Sequence, residues 1–141
     1  VSSLIRSPSS IIESAISSTD ENISAGKDVL VMTSRALVRG ADALSSLSIG
    51  GLVADALVKI LLGVQVRPKY IVAKGGITSS DAATKGLGIK RAMVLGQAAS
   101  GVPLWRCEEE SSKFKGIPYV VFPGNVGGNH TLAELVESWA Q

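Results

Sequence analysis

Tyr70-Ile71-Val72-Ala73-Lys74-Gly75-Gly76-Ile77-Thr78-Ser79-Ser80-Asp81 is the stretch that decides how this chain folds. Tyr70 to Ala73 is a short continuous apolar run, the pattern of a strand buried on both faces. Gly75-Gly76 turns the chain sharply, and Thr78 to Asp81 brings the hydroxyl and carboxylate side chains that start helices. The helix is expected to be short and to close at Gly86 or Gly88. A strand that passes through a glycine turn into a helix is an α/β junction, and the rest of the chain is read outward from it.

Upstream, Ile49, Leu52, Val53, Ala56, Leu57, Ile60, Leu61 and Val64 recur at the i, i+3, i+4, i+7 spacing of an amphipathic helix, capped by Ser48 and broken at Arg67-Pro68. Val29-Leu30-Val31-Met32 is a second continuous apolar run, read as a buried strand ending in Thr33-Ser34-Arg35. Arg39 to Ser48 is read as a loop or short irregular helix. Nearer the start, Ser7-Pro8 opens a helix with an apolar stripe at Ile11, Ile12, Ala15, Ile16 and Ile23, and Gly26 stops it.

Downstream, Ala92 to Leu95, Pro103 to Cys107 and Pro118 to Phe122 read as strands between glycine- and charge-rich turns, with Glu108-Glu109-Glu110 as a solvated hairpin tip. A last helix is expected near Thr131, where Glu134 completes a capping box and Leu132, Leu135, Val136 and Trp139 form the buried stripe. Helices and strands alternate early and strands cluster late. The expected architecture is a single α/β domain spanning 1–141, a mixed sheet flanked by helices, with residues 1–25 as a lead-in helix.

The composition suits a globular domain: 141 residues, 45% hydrophobic and 18% charged, with a net charge of +2. The single cysteine, Cys107, excludes an internal disulfide and a multi-cysteine metal site. With one histidine, His130, it points to a reducing, cytoplasmic compartment. The basic residues are scattered with no aromatic interleaving, so no nucleic-acid partner is expected. The apolar stretch Ile49 to Val66 is interrupted by Asp55, Lys59 and Gln65, and no membrane partner is expected. The chain opens on Val1 and is expected to be a piece of a longer protein.

Two places can carry chemistry. At Gly75-Gly76-Ile77-Thr78 the glycines let backbone approach a ligand, and the first helical turn presents unpaired N–H groups suited to a phosphate. The same residues also serve a tight turn with capping hydroxyls, and the residues alone leave both readings open. Phe122-Pro123-Gly124-Asn125-Val126-Gly127-Gly128-Asn129 is a second glycine-rich passage from strand to helix. In open α/β sheets such junctions lie at the carboxyl ends of strands, where ligands bind. Gly86-Leu87-Gly88 follows a helix instead of opening one, and Gly96 to Gly101 lacks the Lys-Ser or Lys-Thr of a phosphate loop. Trp105 and Trp139 read as core, Cys107 as a strand residue and His130 as a surface or capping residue. No residue stands out as a catalytic base.

Lys74-Gly75-Gly76-Ile77-Thr78-Ser79-Ser80-Asp81, then Gly101-Val102-Pro103-Leu104-Trp105, then Phe122-Pro123-Gly124-Asn125-Val126-Gly127-Gly128 together resemble the C-terminal nucleotide-binding domain of the four-carbon acid sugar kinase family. The similarity runs from about Gly26 to the C-terminus. It implies an ATP-binding domain, with Mg²⁺ accompanying the nucleotide, in a transferase that phosphorylates threonate- or erythronate-type sugar acids. It implies nucleotide contacts at Gly75, Gly76, Ile77, Thr78, Gly124, Asn125 and Gly127. It also implies a missing N-terminal sugar-acid-binding domain, so this chain alone is expected to be inactive. The sequence departs from many members at Ile77, where they carry an acidic residue, and at Phe122-Pro123, where they carry Lys-Ser. Similar segments occur in fusion proteins with class II aldolase domains. The alternative is a non-catalytic nucleotide-binding or scaffolding module in a multidomain metabolic protein, and a third reading is a structural module with no ligand.

Overall fold

The computed structural model describes residues 1–34 and 41–139. The chain divides into two compact units, Val1–Arg67 and Pro68–Gln141.

The first unit is helical among its described residues: α1 Ser2–Arg6, α2 Pro8–Ser24 and α3 Ala43–Gly63. Pro8 sits in the first turn of α2, where its missing N–H costs nothing, and Gly26 follows the helix at φ +75°. α3 begins earlier than its apolar periodicity suggests. Asp42, not Ser48, is the cap: its carboxylate accepts from the Ser45 N–H at 2.7 Å, and the Ser45 hydroxyl accepts from the Asp42 N–H at 3.0 Å. The Ser48 hydroxyl instead donates back to the Leu44 carbonyl. The helix reaches 21 residues, and Leu44–Gly63 is long and apolar enough, by length and composition alone, to cross a membrane. The shorter stretch considered in the sequence understated it. Beyond α3, the Asp20 carboxylate accepts from the main-chain N–H groups of Gln65 and Val66 at 2.9–3.1 Å. Gly63 faces Ile16 of α2 so closely that a Cβ would not fit.

Val29–Met32 is not the buried strand expected from its composition. These residues belong to no strand or helix, and all four side chains are exposed, Leu30 the most at 71%. An apolar run signals a buried strand only where other strands flank it, and every strand of the sheet lies between Ile71 and Phe122. Arg35, read as the end of that strand, lies outside the described residues. So do the first residues of the 39–48 loop reading, whose remainder from Ala43 is helical.

The second unit holds a four-stranded mixed sheet in the order β1-β4-β3-β2, with β1 Ile71–Lys74, β2 Met93–Ala99, β3 Val102–Arg106 and β4 Pro118–Phe122. β1 and β4 run parallel with Ala73 beside Val121, and the β2–β3 and β3–β4 pairs are antiparallel. Among the described residues β2 pairs with β3 alone, at an edge of the sheet, and it extends past the expected Leu95 to Ala99. Gly96 lies at φ +145°, and the ladder slips register between Val94 and Gly96 and again between Gln97 and Ala99.

Side chains alternate across the sheet. On one face Val102, Val120 and Phe122 are buried with Leu135 of α5 (Thr131–Trp139), supported by Val72, Leu104 and Leu132. Trp139 meets the Tyr70 ring edge-on with centroids 5.0 Å apart. On the other face, Tyr119 and Val121 look toward α4 (Gly76–Asp81), which continues as a wider π turn through Ala82–Gly86. The sheet is thus flanked by helices, the mixed α/β class expected from the sequence. Thr131 is the first helical residue of α5 and not its cap, because the Glu134 N–H bonds the His130 carbonyl at 2.9 Å. The Thr131 hydroxyl accepts from the Gly128 N–H at 2.8 Å instead. The acidic run Glu108–Glu110 is only partly a solvated tip: the Glu109 carboxylate turns in to accept from the Lys90 N–H and sits 3.6 Å from Arg91.

Candidate functional site

β1 and β4 are adjacent and parallel, so their carboxyl ends open side by side, and each leads into one of the glycine-rich segments. The Gly75 N–H donates to the Phe122 carbonyl at 2.8 Å, which ties the two strand exits together. A Cβ built on Gly124 would stand 3.8 Å from the Gly75 Cα. Segments about 50 residues apart in the chain therefore meet backbone to backbone at the end of the sheet, a placement shared by ligand sites of open α/β folds.

Gly75 is where glycine is required by conformation. It adopts φ +107° and ψ 148°, a region essentially reserved for residues without a Cβ. Gly76 lies outside the positive-φ region and opens α4, and a Cβ there would meet nothing within 4 Å. The tight turn is thus the work of Gly75, while the space over Gly76 is open. Lys74, the last residue of β1, places its ammonium 4.2 Å from the Phe122 ring centre and 3.4 Å from the Pro123 carbonyl. It bridges the same two strand ends from the α5 side.

Between α4 and the sheet lies a cavity of about 270 Å³. One wall is a single helical face that repeats every turn: Gly76, then Ser79 and Ser80, then Ala83 and Thr84. The opposite wall is Trp105 of β3 and Val121 of β4, and Gly75 and Pro123 close the end by the glycine loops. Its volume falls just under the ~300–1,000 Å³ usual for ligand pockets.

Much of the polar capacity on the helical wall is already used. The Ser79 hydroxyl donates to the Ala73 carbonyl at 2.6 Å, and the Thr84 hydroxyl donates to the Ser80 carbonyl at 2.8 Å. Tyr119, buried beneath the cavity, donates its hydroxyl to the Ser79 carbonyl at 2.6 Å. Burial raises the Tyr119 phenol well above its ordinary range, so it remains a neutral donor. Among the described residues no three His, Cys, Asp or Glu side chains gather to hold a metal ion. The nearest carboxylate on α4, Asp81, is paired with Lys85 at 3.0 Å.

The residues singled out in the sequence are distributed unevenly. Gly75 and Gly76 line the cavity, and Gly124 stands against Gly75. Thr78 is half-buried, with its hydroxyl 3.7 Å from where a Gly75 Cβ would be. Ile77 is 74% exposed and forms no part of the cavity wall. Asn125 is exposed in the loop beyond Gly124 and also lies off the wall. Gly127 has a packing reason for its identity: at φ +85°, a Cβ would meet Thr131 and the Phe122 ring at 3.0–3.1 Å. Sequence reasoning missed Ala83, Thr84, Trp105, Val121 and Pro123. The strand alternation held a signal for Trp105, since Val102 and Leu104 claim the α5 face and leave Trp105 to the other.

A family model described as a nucleotide-binding C-terminal domain matches residues 1–132. That is almost the whole chain, and the chain belongs to this family. No match is found among curated proteins or among solved structures.

Proposed function

We propose that this member of the nucleotide-binding C-terminal domain family holds ATP in the α4 cavity as part of a sugar-acid kinase, with the phosphates over Gly75, Gly76 and Gly124. The observation that carries the reading is the meeting of two glycine loops at the carboxyl ends of adjacent parallel strands, with open space above Gly76. The absence of a Cβ at these positions lets a phosphate come against the main chain, and first-turn N–H groups donate to it. Thr78 and Ser80 supply hydroxyls on the same turn. Ile77, Asn125 and Gly127 enter this reading as outer contacts, reached through the backbone of their loops.

Phosphoryl transfer depends on positioning and charge stabilisation more than on covalent chemistry by the protein. In this reading the chain supplies the first of these, and a further domain of the parent protein supplies the sugar acid, of the threonate or erythronate type that the sequence resemblance suggests. Mg²⁺ is assigned to the phosphates and not to a protein cage, which agrees with the lack of clustered carboxylates among the described residues. The cavity wall offers no general base, so the isolated chain binds nucleotide without transferring phosphate. The parent protein is assigned to the cytoplasm.

The test is an NMR titration of the chain with ADP. Amide shifts centred on Gly75–Thr78 and Gly124 support the reading. Shifts confined to residues remote from both loops would sink it.

A further inference from the structure

Among the described residues, Trp105 is the one aromatic that lines the cavity. In the ladder it stands opposite Tyr119, while Val121 lies two residues further along β4 toward the glycine loops. Two residues of strand and one strand spacing separate Trp105 from Val121, about 8 Å between their Cα atoms. The indole therefore stands at the end of the cavity removed from Gly75 and Gly124. Its neighbours on the wall there are Ala83 and Thr84 of the last helical turn and Val121 of β4, and the Thr84 hydroxyl is already spent on the Ser80 carbonyl. The Trp105 ring is half-buried and stacks on the buried Tyr119 ring, with centroids 6.2 Å apart and planes inclined by 30°. Tyr119 is itself fixed by its bond to the Ser79 carbonyl. An indole supported from behind gives up little freedom when a second flat ring is laid against it, and base–aromatic stacking is a large and general source of affinity.

We infer that Trp105 is the nucleobase platform of this site, stacking the base of the bound nucleotide at the end of the cavity opposite the phosphates. The inference rests on the nucleotide reading above and deepens it: the cavity has a polar end of main-chain N–H groups and an apolar end closed by a ring. That division matches a ligand with phosphate at one end and an aromatic base at the other. The apolar end offers a face-on contact, with no side-chain hydrogen bond from Ala83 or Val121 and a single donor, the indole N–H, on Trp105.

The test compares ADP with inorganic pyrophosphate, which shares its phosphates and lacks the base. In Trp139→Phe, a variant that leaves Trp105 as the sole indole, ADP is expected to quench or shift the emission while pyrophosphate binds without doing so. Trp105→Leu keeps apolar volume and removes the ring. It is expected to weaken ADP binding about tenfold or more, equivalent to about 1.4 kcal/mol, with pyrophosphate binding unchanged. Trp105→Phe is expected to restore most of the ADP affinity, and thermal melts of both variants establish that they are folded. ADP binding undiminished in a folded Trp105→Leu overturns the inference while leaving the phosphate site intact. So does Trp105 emission unmoved by saturating ADP. Equal weakening of ADP and pyrophosphate overturns it as well, because the indole would then only support the fold. If neither ligand binds the parent chain, the nucleotide reading falls and this inference with it.

Discussion

The Tyr119 hydroxyl donates to the main-chain carbonyl of Ser79 at 2.6 Å, with both residues buried. Through that bond β4 holds α4 in place from beneath, while the Ser79 hydroxyl holds the same turn to the Ala73 carbonyl of β1. The helix that forms one cavity wall is thus fastened to both parallel strands, to β4 by Tyr119 and to β1 by Ser79.

Removing the bond tests that fastening. Tyr119→Phe is expected to cost about 1 kcal/mol in denaturant unfolding, the usual net value of a hydrogen bond. ADP affinity should fall modestly as α4 loosens. Unchanged stability would show that the contact is incidental.

The same phenol sets a pH dependence. Its folded pKa is raised by burial above the ordinary value of 10.0. A group raised in this way contributes stability that is fully present below the unfolded pKa and is lost as pH rises beyond it. The difference in stability between the parent and Tyr119→Phe is expected to be constant through neutral pH and to shrink above about pH 10. Parallel stability curves across that range would contradict it.

Gly75 and Gly76 should respond differently to a side chain. Gly75→Ala places a Cβ at φ +107° and is expected to cost about 1–3 kcal/mol of stability. Gly76→Val meets open space, so stability should change by less than about 1 kcal/mol. Its branched side chain would occupy the proposed phosphate position, and ADP binding should weaken more than tenfold, about 1.4 kcal/mol. Gly116→Ala, at φ +73° and away from the cavity, should lower stability and leave ADP affinity alone. Isothermal calorimetry and denaturant melts on the three variants separate the two roles.

Asp42 caps α3, and the Ser45 main-chain N–H followed by the Ser45 side chain lowers its pKa from the ordinary 3.8. Stability from a lowered carboxylate is present above the unfolded pKa and lost as pH falls through the folded value. Far-UV circular dichroism should show helix loss beginning below about pH 4. Asp42→Ala should lower helicity at neutral pH and flatten that acid limb. An acid limb identical to the parent's would remove Asp42 from the account.

What the sequence revealed was decided by local rules. Pro118 to Phe122 was readable because five consecutive residues of strand type sit between turns, and here strands do flank them on both sides. The junction at Gly75-Gly76 was readable for the same reason, as was the stripe of α5. Val29–Met32 misled because apolar composition alone does not say whether a strand lies alongside. The start of α3 at Ala43, capped by Asp42, was missed because three of the six residues from Ala43 to Ser48 are serines, and the cap outweighs their weak helix propensity. In the candidate site, each glycine loop was visible, but their meeting was not, since parallel pairing of β1 with β4 brings them together across 47 intervening residues from Gly76 to Phe122. Trp105 was assigned to the core because its size suggests it, and only the ladder register opposite Tyr119 turns it toward the cavity.

The edge of the sheet has its own bearing on how the protein behaves in concentrated solution. β2 presents Met93, Val94 and Leu95 to solvent at 46–66% exposure, on a strand that among the described residues is paired on one side only. A straight apolar edge of that kind would template the strands of other molecules and seed aggregates. The kink at Gly96 and the two slips of the ladder twist β2 out of the flat geometry that such stacking needs. Irregularity at this strand works against self-assembly: deleting both residues that the ladder skips, Leu95 and Ala98, is expected to yield a tidier hairpin and a less soluble protein.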